Sequence, residues 1–258
     1  MRLYYLIAQK TYRINLQYRF TQLINAFGSS LFGYVMVFVW RAASKHKGGL
    51  GEFSTMDLML WVAFAQILFN FIYPKAGLGI QQSVRSGNIS LEFLRPVNYF
   101  CYIISRETGK QVYNLVYRCL PILVLYSLTI GYKVPSLGSI PLLIIAALLG
   151  GYISLCLCYI VGISALWTVD VRWSHLLYFS LFNVASGVMV PVSFMPGVVG
   201  RLLYYSPWAC MLNPSCRIFL GAYDMTIFAL PIFWSLVLTF TCLMLTKIGK
   251  RKLEVQGG

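Results

Sequence analysis

Long, unbroken apolar stretches alternate along the chain with short polar or basic segments. A bilayer core about 30 Å thick is crossed by about 20 helical residues, and six stretches approach or exceed this length. They cover residues 21–40, 56–73, 111–132, 140–167, 176–194 and 226–246. Lipid offers the backbone no hydrogen-bond partners, so each span must be a helix or part of a closed barrel. Continuous rather than alternating hydrophobicity favours helices. The pattern therefore predicts an all-α polytopic membrane protein with six transmembrane helices.

Composition and motifs narrow the classes of function. The chain is 59% hydrophobic and 11% charged, with seven acidic residues and two histidines. No acid falls squarely within a predicted span, which disfavours a stand-alone channel or ion-coupled carrier, although that function remains the alternative. The sequence has no phosphate-binding loop and no HExxH pair. We therefore predict no catalytic, cofactor-binding or metal site in this chain.

The basic residues are unevenly distributed between the two sides of the predicted bundle. If the N-terminus lies inside, the inner segments hold 14 of the 21 Lys and Arg residues and the outer segments hold six. The positive-inside rule then places both termini in the cytoplasm. Topology thus accounts for the net charge of +14, so we predict membrane lipid as the surroundings and no nucleic-acid partner. The remaining cation, Arg118, falls within the third predicted span, where it either lines a translocation path or snorkels to the cytoplasmic interface.

Two segments outside the spans are amphipathic or apolar. Residues 1–19 have helical spacing of apolar side chains between basic ones, which predicts a helix lying in the headgroup plane; the alternative is a cytosolic extension of the first span. Residues 195–224 are too apolar for a free loop and carry several breakers, which predicts short re-entrant helices before the last span. These breakers are Pro196, Gly197, Gly200, Pro207 and Pro214. Cys210 and Cys216 could pair in an oxidising compartment, but six residues apart on a short helix they are poorly placed for a bridge.

The longest predicted cytoplasmic loop, residues 74–110, contains a compact polar element. Ser86, Gly87 and Asn88 form a turn signal. We predict that Ser90 caps a short helix and that Pro96 ends it. Leu91 and Leu94 then share one face of this helix, since residues three apart are neighbours. Glu92 and Arg95 share the adjacent face, which offers charged contacts to a partner.

Four stretches in a fixed order carry a resemblance to a known family. They read SGNISLEFLRPVNYF (86–100), ALW (165–167), SGVMVPVSFMPGVVGRLLYYSPWACMLNPSCRIFLG (186–221) and LEVQGG (253–258). Together they resemble permease subunits of ATP-binding-cassette (ABC) transporters of the type-2 export class. Within that class the chain is most similar to a bacterial branch whose members end in a VQGG-like tail. One departure is Glu92-Phe93, where the family more often has an apolar pair.

The resemblance implies an architecture and a set of partners. Residues 1–258 would form a single permease domain, with an interfacial helix (1–19), a coupling helix in the 74–110 loop and re-entrant helices (195–224). Two separate ATPase subunits would bind ATP and Mg, and a second permease, identical or a non-identical paralogue, would complete the membrane core. The chain would be a transporter subunit of the bacterial cytoplasmic membrane, not an enzyme. The residues expected to couple it to the ATPase are Arg85, Gly87, Asn88, Ile89, Leu91, Glu92, Leu94 and Arg95.

Overall fold

The protein is a bundle of apolar helices. A computed structural model describes residues 2–45, 49–50, 53–74, 76–130, 135–168 and 170–256. A short antiparallel pairing of β1 (Gly49–Leu50) with β2 (Phe53–Ser54) interrupts the helices. Within the described residues five helical stretches are long and apolar enough to cross a membrane, namely Arg2–Lys45, Thr55–Arg85, Tyr99–Thr129, Ile140–Thr168 and Met225–Leu253. The prediction of an all-α polytopic membrane protein is confirmed.

The first two spans form where the apolar pattern predicts them. Helix α1 (Arg2–Asn15) passes through a 3-10 turn (Leu16–Tyr18) into α2 (Arg19–Lys45), which packs against α3 (Thr55–Ile72). Ser54 and Asp57 cap α3 reciprocally, each side chain accepting a hydrogen bond from the other residue's backbone N–H. Residues 2–19 are thus helical, while the position of α1 in the headgroup plane stays a prediction.

The third span begins 12 residues before the predicted bound of 111. Helix α6 (Tyr99–Asn114) leads through a π-helical turn (Leu115–Cys119) into α7 (Leu120–Thr129). Asn98 caps α6 by accepting a hydrogen bond from the backbone N–H of Cys101 at 3.1 Å. The wider turn precedes Pro121, whose ring would clash with a regular helical carbonyl. The predicted loop is therefore helical from Tyr99 onward.

Two further spans lie side by side. Helix α8 (Ile140–Ile163) is followed by the single turn α9 (Ala165–Thr168), and α13 (Ala229–Gln256) follows a 3-10 turn (Met225–Phe228). Tyr152 and Thr239 are hydrogen-bonded at 2.5 Å, and Tyr159 and Thr246 at 2.6 Å. Both pairs are seven residues apart on their helices, so α8 and α13 run parallel in constant register. The predicted spans four and six are thereby found as packed helices.

The fifth predicted span, 176–194, is wrong in its second half. Helix α10 (Arg172–Ala185) has 14 residues, about 21 Å at 1.5 Å per residue, which is short of the bilayer core. It ends before Gly187, whose φ of +89° is left-handed. The irregular backbone beyond it is buried. The indole N–H of Trp61 donates to the carbonyl of Gly187 at 3.0 Å, and that of Trp40 to the carbonyl of Met189 at 2.9 Å. Side chains of the protein thus supply these backbone carbonyls with hydrogen bonds that lipid could not provide.

Short helices do precede the last span, as predicted, although two of the predicted breakers, Gly200 and Pro214, lie inside helices. Helices α11 (Gly197–Tyr204) and α12 (Ala209–Leu220) are separated by a turn containing Pro207. Pro214, predicted to interrupt the chain, lies inside α12. Nearly all of α12 is buried, and Phe219 stacks on Phe64 of α3 with ring centroids 4.2 Å apart, so packing offsets the lost backbone hydrogen bond. Cys210 and Cys216 are both buried and unpaired in this helix.

The segments predicted to be cytoplasmic meet at one end of the bundle, here called the inner end. Arg85 of the 74–110 loop pairs with Asp170 at 3.2 Å. Lys252 near the C-terminus donates to the carbonyl of Leu166 at 3.0 Å. Helix α1 packs along α6. Several residues of the topology prediction lie outside the described part of the chain: His46, Lys47, Lys75, Tyr132, Lys133, Gly257 and Gly258.

Candidate functional site

A short helical hairpin projects from the inner end. It consists of α4 (Ile80–Arg85) and α5 (Asn88–Phe93). Gly87 joins them with a φ of +74°, a left-handed conformation that glycine adopts at low cost. The prediction that Ser90 caps the second helix is wrong, because the reversal at Gly87 lets α5 begin two residues earlier, at Asn88. The helix ends at Phe93, ahead of Pro96.

The hairpin buries one face and exposes an apolar one. Ile89 and Phe93 are buried against the bundle, whereas Leu91 is 65% exposed and Leu94 is 78% exposed. Both leucines thus lie at the surface, Leu94 one residue past the end of α5, and their sharing of one contact face stays a prediction. The other predicted coupling residues at the surface are Arg85, Gly87, Asn88 and Arg95.

Glu92 faces the bundle rather than a partner. Its Oε1 accepts a hydrogen bond from the Ser83 hydroxyl at 3.2 Å, and its Oε2 accepts one from the Tyr99 hydroxyl at 3.0 Å. Arg95 instead places its guanidinium over the ring of Tyr102, 5.5 Å from the centroid. The expectation that Glu92 and Arg95 form one outward charged face is wrong, since the carboxylate joins α4, α5 and α6.

Aromatic contacts continue from the hairpin into the spans. The rings of Phe93 and Tyr99 lie edge to face with centroids 4.7 Å apart, and Phe100 meets Tyr159 of α8 at 5.1 Å. Tyr159 in turn bonds Thr246 of α13. A displacement of the hairpin is therefore opposed by packed rings rather than by a flexible loop.

Asp170 ties the hairpin to the second inner loop. Its carboxylate pairs with Arg85 at 3.2 Å and with Arg172 at 2.8 Å, and it accepts a hydrogen bond from Gln81 at 3.3 Å. The hydrogen bond from the Arg172 side chain is the main cause that lowers the pKa of Asp170 to about 2. The carboxylate is therefore ionised at neutral pH.

A second feature is a polar cavity of about 370 Å³ at the inner end, between α1, α2 and α6. Its polar walls include Asn15, Gln22, Lys110, Gln111, Asn114 and Arg118. Arg118 reaches across to α2, where its Nη2 donates to the Ser29 hydroxyl at 2.7 Å. The side chain thus lies between helices.

Glu107 also borders the polar cavity and is only 2% exposed. Lys110 Nζ lies 2.7 and 2.9 Å from its two carboxylate oxygens, and Arg106 Nε lies 3.1 Å from one of them. Two cations thus flank this single carboxylate. The sequence interpretation missed this acid because it placed residue 107 in a loop; the i, i+3 spacing of Glu107 and Lys110 is the signal for a helix there.

Comparison with known protein families shows to which family the chain belongs. Residues 31–257 match the model of a family described as ABC-2 family transporter protein. The chain belongs to the ABC-2 transporter family. No curated protein matches the chain. The family match makes this ABC-2 protein a multi-pass membrane permease that associates with ABC ATPase subunits, and a transporter subunit rather than a catalytic enzyme.

The matched region of the ABC-2 permease contains both candidate features almost entirely. The hairpin and Arg118 fall inside residues 31–257, while Asn15, Gln22 and Ser29 precede it. Three groups that the sequence interpretation did not single out now stand beside the predicted ones: Asp170 and Tyr99 at the hairpin, and Glu107 at the polar cavity. No described group of three or more His, Cys, Asp and Glu residues is arranged to hold a metal ion.

Proposed function

We propose that this ABC-2 permease is the membrane-spanning subunit of an ATP-driven exporter in the bacterial cytoplasmic membrane, with both termini in the cytoplasm. The family match over residues 31–257 carries this proposal. Separate ATPase subunits bind ATP and Mg and hydrolyse the nucleotide. A second permease, identical or a non-identical paralogue, completes the membrane core.

The α4–α5 hairpin is the proposed coupling element. Leu91 on α5 and Leu94 directly after it form an exposed apolar pair, and such a patch is typical of a contact surface. In this proposal the two leucines enter a cleft of the ATPase, with Arg85, Gly87, Asn88 and Arg95 at the rim. Ile89 and Glu92 support the helix from behind.

Closure of the ATPase pair on ATP would move the hairpin and, through it, the spans. Tyr99 and Asp170 link the hairpin to the third span and to the second inner loop. The ATP-bound ATPase needs only to favour one permease arrangement by a few kcal/mol to shift the population. We place Arg118 on the path of the exported substrate, since it lines the polar cavity.

A stand-alone ion-coupled carrier is the competing function. Buried Glu107 lies in a candidate spanning helix, so the argument from missing intramembrane acids no longer holds by itself. Its pairing with Lys110 and Arg106 and the family match both favour the ABC subunit. Ion flux in vesicles containing only this chain would favour the carrier.

Two measurements test the proposal. The purified permease is expected to hydrolyse no ATP until its ATPase subunit is added; turnover by the permease alone would contradict it.

For topology, Cys101, the one cysteine that is not buried, is first replaced by Ser. Leu91→Cys should then react with an impermeant maleimide only from the cytoplasm and Leu137→Cys only from outside, since both positions are exposed. The reverse pattern would overturn the orientation.

A further inference from the structure

A second cavity, an apolar groove, lies farther along α2 than the polar cavity. The groove has a volume of about 270 Å³, and its walls include Phe32, Phe69, Phe179 and Met189. Phe32 and Phe179 are also exposed on the bundle surface. The groove therefore opens sideways, between α2 and α10, where lipid surrounds the protein.

The polar cavity and the groove have no lining residue in common, but both are lined by α2 and by the end of α3. On α2, Gln22 borders the polar cavity, whereas Ser29 and Phe32 border the groove. Spacings of 7 and 10 residues keep these side chains on one helix face and span about 15 Å. At the end of α3, Tyr73 of the polar cavity stacks on Phe69 of the groove with centroids 5.1 Å apart. The hydrogen bond from Arg118 to Ser29 crosses the same boundary.

The charge balance of the polar cavity favours an anion. Glu107 is engaged by Lys110 and Arg106, while Arg118 has no carboxylate within ion-pair distance among the described residues. Its Nε is buried and has no hydrogen-bond partner in the described part of the chain, and the same holds for Oε1 of Gln22. A buried cation is costly unless it is paired. The planar guanidinium of arginine is suited to phosphate and carboxylate oxygens.

We propose that the polar cavity and the groove together bind one amphipathic anion. Its acidic head, a phosphate or a carboxylate, lies against Arg118 with Lys110 nearby, and one of its alkyl chains follows the groove between Phe32, Phe69 and Phe179. The ligand enters from the membrane through the open side of the groove. A membrane phospholipid and an exported amphiphile share this chemistry. Binding needs only the permease, so this inference stands apart from coupling to the ATPase.

The head and the chain can be tested separately on the wild-type permease. Purified in an uncharged detergent, it is titrated with dodecyl phosphate, dodecanol or inorganic phosphate, and bound molecules are counted by native mass spectrometry. We expect dodecyl phosphate to bind at least tenfold more tightly than either single-feature probe, since each buried methylene contributes about fourfold in affinity. If dodecanol binds as tightly as dodecyl phosphate, the charged head does not contribute and the role of Arg118 is overturned. If inorganic phosphate binds as tightly as dodecyl phosphate, the alkyl chain does not contribute and the role of the groove is overturned.

Variants of Arg118 test the assignment of the head site. Arg118→Gln should weaken dodecyl phosphate binding at least tenfold, and Arg118→Lys should restore part of it. Arg201→Gln is the matched control, because Arg201 is exposed on α11 and should leave binding unchanged. Wild-type binding by folded Arg118→Gln, judged by circular dichroism, would overturn the proposal. Displacement of the probe by phosphatidylglycerol identifies a membrane lipid as the ligand; failure of displacement points to another amphiphile of the same chemistry.

Discussion

The Tyr99 hydroxyl donates a hydrogen bond to Glu92 at 3.0 Å and so fastens the α4–α5 hairpin to the third span. Tyr99 is buried and is the first residue of α6. Glu92 is the second-last residue of α5 and also accepts a hydrogen bond from the Ser83 hydroxyl of α4. One carboxylate thus holds three helices at the point where force from an ATPase would enter the permease.

Loss of this carboxylate is expected to loosen the hairpin. Glu92→Ala leaves the buried Tyr99 hydroxyl without its acceptor, which we expect to cost about 1–3 kcal/mol, while Tyr99→Phe removes one hydrogen bond at about 1 kcal/mol. Thermal unfolding followed by tryptophan fluorescence measures the loss, and transport measured with the ATPase should fall more than ATP hydrolysis does. Ser90→Ala on the exposed side of α5 is the control. Equal midpoints for Glu92→Ala and Ser90→Ala would contradict the role of Glu92.

Replacement of the exposed leucines should separate the permease from its ATPase without unfolding it. Leu91→Asp and Leu94→Asp introduce a charge on a surface that we place in a cleft, and desolvating that charge should weaken binding by about 2 kcal/mol or more each. Co-purification of the two subunits and ATP-driven transport report the effect.

Leu137→Asp provides a matched control for the leucine variants. Leu137 is 87% exposed in the predicted outer loop, so the same chemical change there should leave co-purification at the wild-type level. Retention of the ATPase by both Leu91→Asp and Leu94→Asp would show that the hairpin face is not the contact.

The carboxylate of Asp170 is expected to hold the two inner loops together independently of pH in the physiological range. Its pKa is lowered to about 2. A depressed folded-state value means that the stabilising effect is present above the unfolded value near 3.9 and is lost only as the pH falls toward 2. The rate of trypsin cleavage after Arg85, corrected for the pH dependence of trypsin itself, should therefore be constant between pH 6 and 8. In Asp170→Asn cleavage at this site should be faster than in the wild type. Asp224→Asn, at an exposed position in the loop before α13, is the control. Unchanged cleavage in Asp170→Asn would contradict the link.

The sequence pattern predicted the spans well where apolar residues alone make the helix. Around α3 and α8, continuous Leu, Ile and Phe both form the helix and fill the core, so pattern and structure agree. Helix α6 is different, because charged and polar residues alternate with apolar ones along it and its buried face contains polar groups such as Glu107 and Gln111. Such burial depends on partners far along the chain, which a local pattern does not report.

Tertiary contacts also explain why the sequence predictions for the end of α10 and for Glu92 differ from the structure. The end of α10 is set by left-handed Gly187 and by indole hydrogen bonds from Trp40 and Trp61, residues more than 120 positions away. The helical spacing of α5 alone predicts that Glu92 faces outward. Its hydrogen bond from Tyr99 of α6 shows that the carboxylate instead connects two helices. Short-range periodicity thus located the short helix α5, whereas the contacts that position it depend on residues of other helices.

The close approach of α1 to α6 depends on Gly109. A Cβ atom at this position would stand 2.3 Å from the carbonyl oxygen of Ala8, too close for any side chain unless one backbone moves. Gly109→Val should therefore displace α1, at a cost of about 1–3 kcal/mol typical of overpacking. Tryptic cleavage after Lys10 and Arg13 measures the displacement, because a docked helix resists proteolysis.

Gly28→Val is the matched control for this displacement, since no atom lies within 4 Å of a Cβ added at Gly28 of α2. Faster cleavage in Gly109→Val than in both wild type and Gly28→Val is expected. Equal rates in the two variants would mean that α1 is held by contacts other than this one. The polar cavity gives a second readout, because Asn15 at the end of α1 lines it. Movement of α1 should therefore also weaken binding of dodecyl phosphate, while Gly28→Val should leave that binding intact.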